Sequence, residues 1–199
     1  MSELFDAGYY SDSELKTAGF CSLGKNVKIA KNCTIVNVRN ISIGSNVRID
    51  SYTLLIAGSN HVSIGNYVHI GGSSYLAGGE GLTMADFSGL SQGVRIYTAS
   101  DDYAGVYFTN PTLPAEYTRL RRGAVRLEKH AVVGSGTIIL PGCILAEGTS
   151  VGALSVIRKS TQPWQVYFGN PAKPIMERKR IDPDGMIEKE LLENIRKMG

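Results

Sequence analysis

The sequence is short of the features that mark most specialised chains. Its 199 residues include three cysteines, Cys21, Cys33 and Cys143. An odd count at those separations fits neither a disulfide framework nor a metal ribbon. It predicts a reduced, cytosolic protein whose cysteines serve as small core residues. Long apolar runs are missing: each hydrophobic stretch is cut by glycine or a polar residue, which argues against a membrane span. The opening "MSELFDAGYY" has neither the basic start nor the apolar middle of a secretion signal. Charge of one sign is also scarce. A formal net charge of +3 suits small polyanions such as nucleotides and gives no ground for nucleic-acid binding. The length suits one domain with a sizeable core.

What the chain has is a repeat. Aliphatic residues recur every six positions: Leu23, Ile29, Ile35; Ile43, Ile49, Leu55; Ile64, Ile70, Leu76; Met84, Leu90, Ile96; then Leu127, Val133, Ile139; Leu145, Val151, Ile157. Glycine or alanine often follows the aliphatic, as at Gly24, Gly44, Gly65, Gly71 and Gly134. Four positions after it, small or β-branched residues dominate, as at Val47, Thr53, Ser74, Ser88, Thr137 and Ser155. A period of six is neither helical nor a simple alternating strand. One short strand and a tight corner fit it. Three such units make one turn of a triangular parallel β-helix, and the turns stack as a solenoid. The glycines are expected to ease the backbone around each corner. Spacings of 8, 9 and 8 between the first four sets put extra residues along one edge of the prism.

Both ends depart from the repeat. Ser11 stands three residues before Glu14 in a capping-box pattern, predicting a short helix over the first turn. "PDGMIEKELLENIRKM" predicts an amphipathic helix with Met186, Ile187, Leu191, Ile195 and Met198 near one face. The stretch 97–126 leaves the repeat and returns in phase. A loop that long inside a compact domain is usually functional or disordered, and its tyrosines and prolines favour an ordered arm.

The run "VVGSGTIILPGCILAEGTSVGALSVIRKS" followed by "GNPAKPI" resembles the left-handed β-helix, or hexapeptide-repeat, acyltransferases over almost the whole chain. The resemblance implies an all-β, left-handed parallel β-helix of about six coils with an extruded loop and short N- and C-terminal helices. It implies an N-terminal cap over 1–22, a β-helix over 23–157 interrupted by the loop 97–126, and a coenzyme A-contacting segment with helices over 158–199. It also implies a homotrimer with active sites between neighbouring prisms, acetyl-CoA as co-substrate and no metal. In the sugar O-acetyltransferases of this class a histidine acts as base; hexapeptide counting puts Asp101 there, with Ser100 before it. A hydroxyl needs such a base, whereas a deprotonated amine is already nucleophilic, so the carboxylate favours N-acylation. The stretch "MADFSGLSQGVRIYTASDDYAG" is similar to N-acyltransferases of nucleotide-linked 4-amino-4,6-dideoxyhexoses, whose product feeds surface polysaccharide. In that group the coenzyme thiolate is a further candidate for the proton acceptor.

The candidates divide by role. Asp101 and Asp102 are the first catalytic candidates: one holds a proton because the pair resists joint ionisation, or one aims the ammonium group of the substrate. The competing reading is an Asx-type turn that launches the loop. Asp101 ranks above Asp102. His130, where the loop rejoins, is the alternative base, for a sugar O-acetyltransferase; a plain corner histidine is the competing reading. Ser88, Ser100 and Tyr103 are candidate substrate contacts, with Ser88 equally placed to fill core. By the resemblance Ser135 and Ala153 line the pantetheine groove, and Arg158, Lys159 and Lys173 meet the coenzyme phosphates, which call for cations. Trp164 flanks the adenine or closes the last turn. Arg119, Arg121 and Arg122 meet a diphosphate or form a solvated run. His61, His69 and His130 sit at different phases of the repeat, which argues against a three-histidine zinc site. A non-catalytic scaffold is the remaining alternative.

Overall fold

The structure, a computed structural model, describes residues 6–197; the first five residues assigned to the cap, and Met198, lie outside the described residues. Six coils of three short strands stack into a prism. The first face carries Ser22–Leu23, Ile41–Ile43, Val62–Ile64, Leu82–Met84, Val125–Leu127 and Ile144–Leu145, all parallel. The second runs from Val27–Ile29 through Val47–Ile49, His69–Ile70, Gly89–Leu90 and Val132–Val133 to Ser150–Val151. It is closed by Gln165–Phe168 and the antiparallel Lys173–Glu177. The third holds Thr34–Val36, Leu54–Ala57, Tyr75–Gly78, Arg95–Tyr97, Ile138–Ile139 and Val156–Ile157. This is the triangular parallel β-helix that the six-residue period predicts, and it agrees with the left-handed form that the resemblance implies.

The aliphatic of each unit points inward. From Ile43 to Ile157 every one of them is buried, while Leu23 and Ile35 in the first coil are half-buried against the core. Removing such a row from water is the main stabilising term of the fold. The small residues four positions on lie beside it: Thr53, Ser74, Thr137 and Ser155 are buried, and Ser74 donates its hydroxyl to the Gly71 carbonyl at 2.7 Å. The first helix, α1 (Asp12–Thr17), has the predicted capping box and buries Leu15 on the core. The second, α2 (Met186–Lys197), half-buries Leu191, Leu192 and Ile195, but leaves Met186 and Ile187 exposed, so the predicted apolar face is shorter than expected.

The corner glycines have a different cause from the one expected. Gly44 is not in the left-handed region; a Cβ there would come within 2.7 Å of the Gly65 carbonyl carbon, so the next coil demands it. The left-handed residue lies three positions after the aliphatic. At the corner between first and second faces these are Asn26, Asn46, Tyr67, Phe87, His130, Gly148 and Trp164, all with positive φ. Such geometry is strained for bulky residues. Ring stacking offsets it: Tyr67 on Phe87 and Phe87 on His130, each with centroids 5.2 Å apart.

The extra residues of the early coils enter between the third and first faces, and the loop leaves from the same edge, after Tyr97. Cys143 is buried, Cys33 half-buried and Cys21 exposed; Cys21 is therefore not the core residue that the sequence suggested, because it precedes the first strand.

Candidate active site

The loop begins as a hairpin. Ala99–Ser100 pairs antiparallel with Arg121–Arg122, and buried Thr98 anchors its base by donating to the Ala77 carbonyl at 2.7 Å. Asp102 then folds the turn: its carboxylate accepts backbone N–H bonds from Ala104, Val106 and Tyr107, each at 2.9 Å. The Ala104 and Tyr107 amides, aided by Arg119, hold its carboxyl below the usual range. Asp102 is thus the Asx-type turn-former of the two readings. Its carboxylate is engaged by three amides of its own loop.

Asp101 is left to face a cavity of about 1400 Å³. Tyr97, Ile138 and Leu140 of the third-face side form its apolar wall, and Ser100, Tyr103, Arg121 and Arg158 line it too. Arg119 is held over the Tyr107 ring at 5.5 Å, and Arg122 is paired with Glu80. So eight of the residues singled out in the sequence, Ser100, Asp101, Asp102, Tyr103, Arg119, Arg121, Arg122 and Arg158, meet at one cavity.

The other candidates lie elsewhere. Ser135 and Ala153 follow the second face, at the corner leading to the third; the Ser135 hydroxyl donates to the Gln92 side chain at 3.2 Å. Ser91 occupies the same corner one coil earlier, its N–H bonded to the Val133 carbonyl. Lys159 and Lys173 are exposed near the last coil. Ser88 is buried and donates to the Ala85 carbonyl at 2.7 Å, the geometry of core filler rather than of a substrate contact. His130 sits on the first-to-second edge, away from the loop cavity. Its ring stacks on Phe87, its Nε2 lies 3.1 Å from a Glu188 oxygen, and its carbonyl accepts from Arg178. Glu188, drawn down by Lys129 and His130, fastens α2 there. Trp164 stacks under Arg180 at 5.3 Å, at the closing turn.

Sequence reasoning missed one cluster on the second face. Arg48 reaches Asp50 through Nε at 2.9 Å, and His69 Nε2 lies 2.7 Å from Asp50. The residues come from consecutive coils, in register at Arg48 and His69; the clue was the coil-length spacing. Among the described residues no group of His, Cys, Asp and Glu is placed to hold a metal ion, and no helix is long and apolar enough to cross a membrane.

No family model matches the chain. Against individual proteins the likeness is strong. The chain is 41% identical over 172 residues to a dTDP-4-amino-4,6-dideoxy-D-glucose acyltransferase of Escherichia coli, covering 86% of this chain and 90% of that one. It superimposes with a TM-score of 0.87 and 39% identity on a serine-to-alanine variant of AntD, an N-acyltransferase from Bacillus cereus, in complex with dTDP-4-amino-4,6-dideoxyglucose and coenzyme A, over 94% of this chain and 98% of that one. A hexapeptide-repeat acetyltransferase from Vibrio cholerae, at 18% identity and a TM-score of 0.54 over 84% of this chain and 80% of its own, shares the fold. With its coils, its extruded loop and these relatives in hand, the chain belongs to the hexapeptide-repeat acyltransferases, and its near relatives are the acyl-CoA-dependent N-acyltransferases.

Proposed function

We propose that the protein transfers an acyl group, acetyl in the simplest case, from coenzyme A to the amine of dTDP-4-amino-4,6-dideoxyglucose, as a homotrimer in the cytoplasm, for surface polysaccharide assembly. The observation that carries this is Asp101 facing an open cavity without a histidine beside it. The amine lone pair attacks the thioester carbonyl and a C–N bond forms. The tetrahedral oxyanion collapses, the C–S bond breaks, and the departing thiolate takes the amine proton. Asp101 attracts the incoming ammonium, which gives one proton to bulk water, and then aims the neutral amine at the thioester; that positioning contributes on the order of 100-fold.

Ser91 joins Asp101 in this reading. Two of the AntD forms solved with dTDP and coenzyme A carry substitutions at a serine and at an aspartate, spaced as Ser91 and Asp101 are here. In one chain Ser91 and Asp101 lie on different edges. The exposed Tyr103, Val106 and Phe108 of the loop suit a neighbouring subunit, which would bring Asp101 to the next chain's Ser91–Ser135–Ala153 corner. Arg158, Lys159 and Lys173 then meet the coenzyme phosphates.

Kinetics of two variants test the assignment. Asp101→Asn should lower kcat/KM with acetyl-CoA and the dTDP-amino sugar by about 100-fold, and His130→Ala should change it little. The opposite pattern supports an O-acetyltransferase with His130 as base.

A further inference from the structure

The edge that extrudes the loop is built corner on corner. Asn37 and Asn40 donate their side-chain amides to the Gly58 carbonyl at 2.8 and 2.7 Å. A Cβ at Gly58 would come within 2.6 Å of the Gly79 carbonyl oxygen, so the next corner lies directly against it. That corner is a tight turn, closed by the Gly81 N–H on the Gly78 carbonyl at 2.9 Å. In the following coil the loop takes its place. The turn is therefore the platform beneath the loop. Between Gly78, Gly79 and Gly81, its one side chain is that of Glu80.

Glu80 grips the loop twice. Its backbone N–H donates to Thr98 Oγ1 at 3.0 Å, and that hydroxyl donates in turn to the Ala77 carbonyl. Its carboxylate accepts from Arg122 Nη1, 42 residues further along the chain. Thr98 precedes one strand of the hairpin and Arg122 lies in the other, so the two bonds span its base. Arg122 is paired with Ala99, two positions before Asp101. The hairpin consists of two residue pairs. A ladder that short is marginal by itself and needs support to hold one direction. An ordinary surface ion pair has little effect on a fold. Here the Glu80 side chain is only 22% exposed, and its partner belongs to the segment that carries Asp101.

We propose that Glu80 is a positioning residue for Asp101. Its clasp on Arg122 and Thr98 fixes the direction of the hairpin, and with it the aim of the Asp101 carboxylate. Misplacing a reacting group by about 1 Å costs up to about 100-fold in rate, so a weak contact far from the chemistry has a large lever. The inference rests on the reading of Asp101 given above.

Steady-state kinetics of the full chain test it, with acetyl-CoA and dTDP-4-amino-4,6-dideoxyglucose. The variants are Glu80→Ala and Arg122→Ala, each alone and each combined with Asp101→Asn. Alone, each should lower kcat/KM about tenfold or more through kcat, with KM for acetyl-CoA unchanged. Glu80→Gln keeps an acceptor oxygen for Arg122 and should retain part of the lost activity. Combined with Asp101→Asn, neither should lower kcat/KM further, because residues that act through one group are not additive. Losses that multiply mean that the clasp acts without Asp101, and they overturn the inference. Native kinetics in either folded clasp variant, beside a crippled Asp101→Asn, overturn it too. Native kinetics in Asp101→Asn itself mean that the reading of Asp101 fails, and this inference with it. Should Glu80→Ala not fold, Arg122→Ala and its combination with Asp101→Asn decide alone by the same criteria.

Discussion

Inside the prism Leu90 and Ile96 are 1% and 0% exposed; on the loop Tyr103, Val106 and Phe108 are 89%, 73% and 68% exposed. The two regions have similar apolar content and opposite fates. In the coils each inward residue meets its counterpart one turn away, so a single chain satisfies itself. In the loop the backbone is organised by Asp102 and the hairpin base, while Tyr103, Val106 and Phe108 find little cover among the described residues. The prism therefore carries the stability, and in the proposed reading the loop carries the function. Its ordered backbone and unpartnered surface are what an arm needs to complete a neighbour's site.

Three experiments probe that contrast. The largest effect belongs to the coils. Leu90→Ala should cost about 2–5 kcal/mol in denaturant unfolding, because the rigid stack cannot collapse around the cavity; Tyr103→Ala should leave that unfolding midpoint within about 0.5 kcal/mol. Next is the division of labour between subunits. Ser91→Ala and Asp101→Ala should each cripple turnover when made alone. Coexpressed, they should regain about a quarter of native activity through sites that pair one intact residue from each chain. No recovery would mean that both residues act within one chain. The smallest effect is in the loop turn. The folded pKa of Asp102 lies below its unfolded value, so its contribution is present above about pH 3.9 and lost as pH falls through the folded value. Hydrogen exchange at Ala104, Val106 and Tyr107 should be slow at pH 5–7 relative to the intrinsic rate and lose protection in that acid range; protection in Leu90 and Ile96 should persist there.

The prism was legible because its cause is local and repeated. A buried row every six residues, with small residues beside it at Ser74 and Thr137, can be read without knowing which coil meets which. The insertion edge was legible too, since spacing alone marks it. Other features depend on contacts between coils, whose length varies with the insertions. The left-handed ladder of Tyr67, Phe87 and His130 is one, and Arg48 beside His69 is another. The roles of Asp101 and Asp102 are a finer case. Their chemistry is identical, and only the amides that close on Asp102 separate them. His130 read equally as base or corner residue until Glu188, 58 positions later, was found against it.

The most direct measurement offers the protein two acceptors with acetyl-CoA and follows free thiol: dTDP-4-amino-4,6-dideoxyglucose and its counterpart bearing a hydroxyl in place of the amine. Thiol release with the amine alone, and a product carrying an amide, is the predicted result. Equal or faster release with the hydroxyl, giving an ester, would contradict the account.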